Sequence, residues 1–531
     1  MSAFSIDKTK RKVFYMEIKK EVAYTGSLAQ SEVLSECQSE LSLPDYNGDV
    51  RKILYTNAEL RPSGSFASTD SVELSGIVVF EVVYLNADGE MESTSFTGDY
   101  DMTVKCPEGF TDCIAEPRLA GYTVRLVGPR RISARASLCS GVRVSVPEVA
   151  EIRGGALEMQ DKLEGRTVRV KIRNTVASQP LEREYAEPVT ALEGAIAEEV
   201  TVIHTAAEAR ADSAERAEGG VEVKGELWLR AVLKNGEEPA YSVEKIIPIA
   251  ELVSWDRAGE GMLFSPTLTV TSLTAAVNPQ ADGCAVVMNA ILEIAARAEY
   301  NEEVELVADG YLRSHKTAAT YRDLAHTSVV DVRSVREAHS CSVGRAEAMA
   351  ENIREVVFMS SSVKGEVARI SDGTVEVKGE IRYSGIGSEV GEDGAASYFP
   401  IKYSEEFCKN VNVGSHNADN LRAEVKVVPT RATARVDAEK LHFSSELDLK
   451  VTLLSEKSER VLASLEAEGE ELVSSPSKIT VYYPTPGESL FSVAKRYRTT
   501  VEKLARDNSL TESVFASAAE MPSGVKRLII T

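Results

Sequence analysis

Aromatic side chains are scarce in this chain, at 6% of 531 residues with two tryptophans, Trp228 and Trp255. Single-stranded nucleic acid is held on such rings, and a formal net charge of −22 repels a phosphate backbone. Nucleic acid is therefore excluded as a partner class. No stretch of about 18 uncharged apolar residues occurs, so no membrane-spanning helix is expected. The segment Met1–Thr25 scatters Asp7, Lys8, Lys10, Arg11 and Lys12 through its length and holds no apolar run. It is unlike a secretory signal or a transit peptide. Seven cysteines, Cys37, Cys106, Cys113, Cys139, Cys284, Cys341 and Cys408, stand at irregular spacings. An odd, dispersed set reads as reduced thiols, and the expectation is a protein made and working in the cytosol.

Catalytic and metal-binding signatures are equally sparse. The six histidines, His204, His315, His326, His339, His416 and His442, include no pair at HxxxH spacing, and each is expected in a surface or capping role. Cys106 and Cys113 are spaced unlike a zinc knuckle. There is no phosphate-cradling glycine loop, no GxSxG elbow and no dinucleotide fingerprint. No metal, no cofactor and no catalytic residue is expected. Paired glycosidase carboxylates are a matter of geometry among 82 acidic residues, so sequence does not decide them.

What is present is a repeat. Val72-Glu-Leu-Ser-Gly76-Ile-Val-Val-Phe80 returns as Val221-Glu-Val-Lys-Gly225-Glu-Leu-Trp-Leu229 and as Val375-Glu-Val-Lys-Gly379-Glu-Ile-Arg-Tyr383, the glycines 149 and 154 residues apart. An apolar pair precedes each: Ile53-Leu54, Val202-Ile203 and Val356-Val357, always 23 residues before the glycine. A third landmark follows 56 to 62 residues on, at Ile132–Val146, Val286–Tyr300 and Leu441–Leu454. Apolar and polar residues alternate in all of them, the period of a strand with one buried face. A glycine inside such a strand marks a bulge, a bend or a close backbone approach. Asn86-Ala-Asp88-Gly89 and Lys234-Asn235-Gly236 predict hairpins with partner strands near Ser93–Gly98 and Tyr241–Pro248. Helix is expected only locally, best at Val343–Val356, rich in Ala, Glu and Met. The chain thus divides into β-rich, mainly antiparallel repeats with minor helix over 1–160, 161–314 and 315–472. Triplicated β modules serve avidity or assembly more often than catalysis, so a structural or interaction role is favoured.

Residues 474–531 differ in character. They hold eight Lys/Arg against five Asp/Glu, leaving 52 against 77 elsewhere, so a small basic domain follows a large acidic body. Ser474-Ser475-Pro476-Ser477 reads as a linker and Ile479–Tyr483 as a strand. Leu490, Val493, Ala494 and Tyr497 make the apolar stripe of a first helix. Thr499 with Glu502 reads as a capping box opening a second helix that buries Val501, Leu504 and Ala505. Asp507-Asn508 stops it, and Val525–Ile530 closes a βααβ order.

Pro486-Gly487-Glu488-Ser489-Leu490-Phe491-Ser492-Val493-Ala494, with Tyr497, Val501, Leu504 and Asn508, resembles the LysM family. The resemblance implies a groove for N-acetylglucosamine-containing glycan between the loop before the first helix and the loop after the second. On this sequence that groove is Gly487, Glu488, Ser489, Phe491, Asn508, Ser509 and Leu510. Two departures stand out: Arg498 replaces the usual Gly, and Ser509–Ser523 is longer than usual. They put a protein partner on level terms with a sugar. Glu488 is equally explained as a carboxylate favoured by the helix dipole. The repeats around Val-Glu-Val-Lys-Gly-Glu, followed by LysM, resemble the SPOCS domain family. That resemblance implies a structural adaptor of spore-coat assembly in the mother-cell cytosol, with LysM binding a coat morphogenetic ATPase (SpoIVA-like). A peptidoglycan-binding protein is the alternative, and a wall hydrolase the enzymatic one.

Overall fold

The computed structural model describes residues 20–22, 33–44, 47–106, 108, 112–148, 151–153, 163–348, 352–371, 373–391, 395–416, 420–468, 479–510, 521 and 524–531. The first strands are β1 Lys20–Val22, β2 Val33–Ser42, β3 Val50–Ala67, β4 Ser71–Asn86, β5 Met91–Lys105, β6 Asp112–Gly128, β7 Arg131–Glu148 and β8 Glu151–Arg153. Next come β9 Leu163–Ala177, β10 Leu181–Glu193, β11 Val200–Ala217, β12 Gly220–Asn235, β13 Tyr241–Ser254, β14 Leu263–Gln280 and β15 Gly283–Leu312. The last long strands are β16 Lys316–Gly344, β17 Glu355–Ser371, β18 Thr374–Val390, β19 Ala396–Asn412, β20 Leu421–Val436 and β21 Lys440–Glu468.

The repeat in sequence is a repeat in topology. Three sheets have the orders β3-β4-β5, β11-β12-β13 and β17-β18-β19. Three others place β7 between β2 and β6, β15 between β10 and β14, and β21 between β16 and β20. All of these pairings are antiparallel. Within each unit the two sheets share a core: Val78 and Phe80 with Ala136 and Leu138 in the first, Leu227 and Leu229 with Met288 and Leu292 in the second, and Val377 and Ile381 with Leu447 and Leu449 in the third. Each of the larger side chains among them contributes about 1.5–3 kcal/mol by its burial. The third landmark falls in the central strands β7, β15 and β21. The predicted hairpins form, with β5 and β13 extending past the expected partners. Gly89 and Gly236 take φ +85 and +53 in their turns, and the Asn86 carboxamide oxygen accepts from the Asp88 and Glu90 amides.

The expected helices of the repeats are a correction. The only helical turn among their described residues is a 3₁₀ turn at Ala197–Glu199. Of the helix expected at Val343–Val356, residues 349–351 lie outside the described residues; the rest is strand to Gly344, a turn over 345–348 and strand again from Glu355, and Arg345 donates to the carbonyls of Ala438 and Ile353. Ala348 and Ile353 bury themselves in the core of the third unit. That packing outweighs the weak helix propensity of the segment.

Both short landmarks prove to be bulges. Opposite each repeat glycine the neighbouring strand carries extra residues, between Pro62 and Gly64, between Ala211 and Ser213, and between Lys364 and Val367. A Cβ on Gly76 would lie 2.4 Å from the Arg61 carbonyl oxygen, and one on Gly225 2.2 Å from that of Arg210. At Gly379 it would meet the Phe407 ring at 2.8 Å. At Gly76 and Gly225 the backbone of the bulged strand is what requires glycine, and at Gly379 it is the ring on β19. In the apolar pairs the second residue, Leu54, Ile203 or Val357, is itself the extra residue of a bulge.

These second bulges bring the three units together. Leu54, Ile203 and Val357 are buried in one shared cluster with Val83, Val232 and Ile386, which are also equivalent positions. The next residues, Tyr55, His204 and Phe358, form a closed triangle of rings, with centroids 5.4, 5.1 and 4.9 Å apart. Tyr55 donates to Ser360 at 3.0 Å, and the Ala240 amide donates to the Tyr398 hydroxyl at 2.8 Å. The second and third units also interlock by charge. Arg173, 3% exposed, bonds Glu299 and reaches Glu424. Arg210 bonds Glu226 and Glu446, and Arg336 bridges Asp212 and Asp448.

Candidate functional site

The C-terminal segment folds as β22 Thr480–Tyr482, α1 Leu490–Tyr497, α2 Val501–Asp507 and β23 Leu528–Ile530, with β22 and β23 antiparallel. Ser489 caps α1, its hydroxyl accepting from the Ser492 amide while the Ser492 hydroxyl accepts from the Ser489 amide. The second cap lies one residue later than the sequence predicts. Thr500 accepts from the Lys503 amide, because the chain leaves α1 through a left-handed Arg498 and Thr499 still bonds back to Ala494.

Helix α1 has two working faces. Leu490, Val493 and Ala494 join Leu504 and Leu528 in the core of the small domain. Phe491, Lys495 and Arg498 form the other stripe and face the end of β15 and the start of β16. Phe491 packs edge-on against Tyr311 at 5.3 Å, and the Tyr311 hydroxyl donates to the Thr499 carbonyl at 2.5 Å. Lys495 binds Asp309 at 2.7 Å, and the Tyr321 hydroxyl donates to the same carboxylate. Asp309 and Tyr321 hold the Lys495 ammonium above its usual range, against the opposing effect of burial. Arg498, at φ +57, donates to the carbonyls of Leu312 and His315. The position at which the family pattern has glycine is thus the docking point.

The seven expected groove residues are split by this geometry. Gly487, at φ +82, and Ser509, at φ +54, are exposed in the two loops. Glu488 and Ser489 are half-buried. The Glu488 carboxylate accepts from the Tyr482 hydroxyl and the Thr485 amide and pairs with Arg496. Burial works against the charged form, yet these partners hold it below the usual carboxylate range. Asn508 accepts from the Ile529 amide at 2.6 Å and donates to Leu504 and Ile529 carbonyls, so it ties α2 to β23. Leu510 leans on the core, and Phe491 is buried in the docking contact rather than in a groove. Most of the long second loop, 511–520 and 522–523, lies outside the described residues. The docking residues Asp309, Tyr311 and Tyr321 carry no motif, and sequence reasoning missed them; the one available signal was Arg498 at a glycine position.

Histidines are also a correction: His204, His315, His326 and His339 are buried. Ser342, His442 and Asp437 form a hydroxyl–imidazole–carboxylate relay at 2.7 and 2.6 Å. Ser342 and His442 are a cross-strand pair of β16 and β21, and Asp437 also accepts from the Glu439 and Lys440 amides. The relay is the closing contact of a hairpin turn. An open cleft of about 420 Å³ lies beside Arg216, Glu260, Met262, Phe264 and Val332.

Residues 485–514 match the LysM domain family. No curated protein and no solved structure matches the chain. No helix among the described residues is long and apolar enough to cross a membrane.

Proposed function

We propose that this chain is a non-catalytic scaffold that presents a LysM domain to an N-acetylglucosamine-containing glycan such as peptidoglycan. The observation that carries this reading is the LysM match at 485–514 on a domain docked through one stripe of α1, with Thr485–Gly487 and Ser509 exposed on its two loops. Docking against β15 and β16 pre-orders the domain, which lowers the entropic cost of binding. The test is a titration of the full chain with chitin oligomers and intact sacculi, beside a chain ending at residue 473. Saturable binding lost with the shorter chain is the expected result. Turnover of the sacculi would instead make this a wall hydrolase.

A second reading has its own observation. Asn508 and Glu488 already satisfy their polar groups internally, and Arg498 departs from the family pattern. Both fit a LysM domain repurposed to hold a protein. With the SPOCS resemblance of the repeats, the reading is a spore-coat morphogenetic protein of the SipL type in the mother-cell cytosol, joining a SpoIVA-like ATPase. Capture of such an ATPase with no response to glycan would replace the first reading by this one.

A further inference from the structure

In the third unit, at the edge where β16 and β19 face one another across the sandwich, three side chains of different chemistry converge. His339 and Cys341 stand two residues apart on β16 and share its inward face. Glu405 of β19 points toward them. One ligand atom from each lies within 4.8 Å of the other two. His339 is 9% exposed. Its Nε2 and the Glu405 Oε2 are buried without a hydrogen-bond partner, 3.9 Å apart. Buried polar atoms are normally satisfied, and leaving one bare costs about 1–3 kcal/mol. Beyond the Cys341 thiol, which hydrogen-bonds the Glu405 carboxylate, the surroundings offer little relief: the Phe407 ring sits 6.4 Å from the His339 ring, and the Lys409 ammonium is engaged by the Ala338 carbonyl.

We propose that His339 Nε2, Cys341 Sγ and a Glu405 carboxylate oxygen bind one divalent transition-metal ion of the zinc class. Nitrogen, thiolate and carboxylate together suit zinc or cobalt, whereas calcium and magnesium take oxygen shells. Metal–ligand bonds of about 2.0–2.3 Å place tetrahedral ligands roughly 3.3–3.8 Å apart. The His339–Glu405 separation is already close to that, and small side-chain rotations bring in Cys341. Three protein ligands leave the fourth tetrahedral position to water. The Cys341 thiol proton passes to solvent as the metal–sulfur bond forms. The ion would clip β16 of one sheet to β19 of the other and stabilise the third unit by mass action.

The experiment treats the full chain with chelator and titrates it with Co(II), then with Zn(II). The expected result is one ion per chain, a thiolate-to-cobalt charge-transfer band with the intense visible bands of four-coordinate cobalt, and loss of both when zinc is added. Cys341→Ser abolishes the charge-transfer band, while Cys408→Ser, at an exposed cysteine on the same edge, keeps it. No band in the folded chain, or a band that survives Cys341→Ser, overturns the proposal. If the Cys341→Ser chain fails to fold, alkylation of the unmutated chain decides. Zinc protecting Cys341 selectively supports the site, and equal labelling with and without zinc overturns it.

Discussion

At φ +57 the Arg498 backbone sits in the left-handed region, at a cost of about 1–2 kcal/mol for a residue with a Cβ. Glycine would remove that strain, so the side chain must return something. It does so through bonds to the Leu312 and His315 carbonyls, and hydrogen bonds from a charged group contribute about 1.5–3 kcal/mol each. Arg498→Gly is therefore expected to leave the LysM fold intact and weaken its docking by about 2 kcal/mol. Hydrogen exchange should quicken at 309–315 and at 495–500, while the amides of β4, β12 and β18 keep their protection. Unchanged exchange at 309–315 would remove Arg498 from the docking contact. Position 498 was legible as a departure from a pattern, but its purpose was not, because the residues it meets lie about 185 positions away in sequence.

The repeat glycines belong to the scale of the strand. A Cβ at Gly225 would meet the Arg210 carbonyl oxygen at 2.2 Å and Leu268 Cδ1 at 2.6 Å, backbone on one side and packed core on the other. Gly225→Ala is expected to destabilise by about 1–3 kcal/mol, the usual cost of overpacking, read as a fall in denaturation midpoint. Gly64→Ala, where nothing lies within 4 Å, should be close to neutral and serves as the control. The glycines, the alternation and the hairpins were legible because each is local: a period, a turn residue, a missing side chain. The apolar pairs held more than was read from them. Two adjacent apolar residues inside an alternating strand break its period, and Ile53-Leu54, Val202-Ile203 and Val356-Val357 do so because the second residue is the extra one of a bulge. The helix expected at Val343–Val356 failed for the opposite reason. Its Ala and Glu content favours helix, but Ala348 and Ile353 are claimed by a core assembled from distant strands.

At the scale of the molecule, the triangle of Tyr55, His204 and Phe358 joins the three units, and one corner is ionisable. Burial, and secondarily the nearby Arg230 guanidinium, push His204 down to about 4. Arg230 also lies over the Phe358 ring at 4.7 Å and pairs with Glu208, so a second positive charge beside it has no open partner. The sign of the pH effect follows. An unfolded chain binds a proton at His204 below about pH 6.5, whereas the folded chain resists until about pH 4. The stability that depends on a neutral His204 is complete above pH 6.5 and is lost as the pH falls toward 4, by up to roughly 3 kcal/mol. His339 is shifted downward as well, so the informative quantity is a difference between chains. His204→Phe places at the second corner the ring found at the third, and it should flatten that part of the acid limb. Denaturant titrations of both chains at about pH 7.5 and about pH 5 measure this directly. A gap between the chains that widens toward acid pH locates the proton at the junction of the three units. Parallel curves would mean that acid first loosens some other contact while the ring triangle holds.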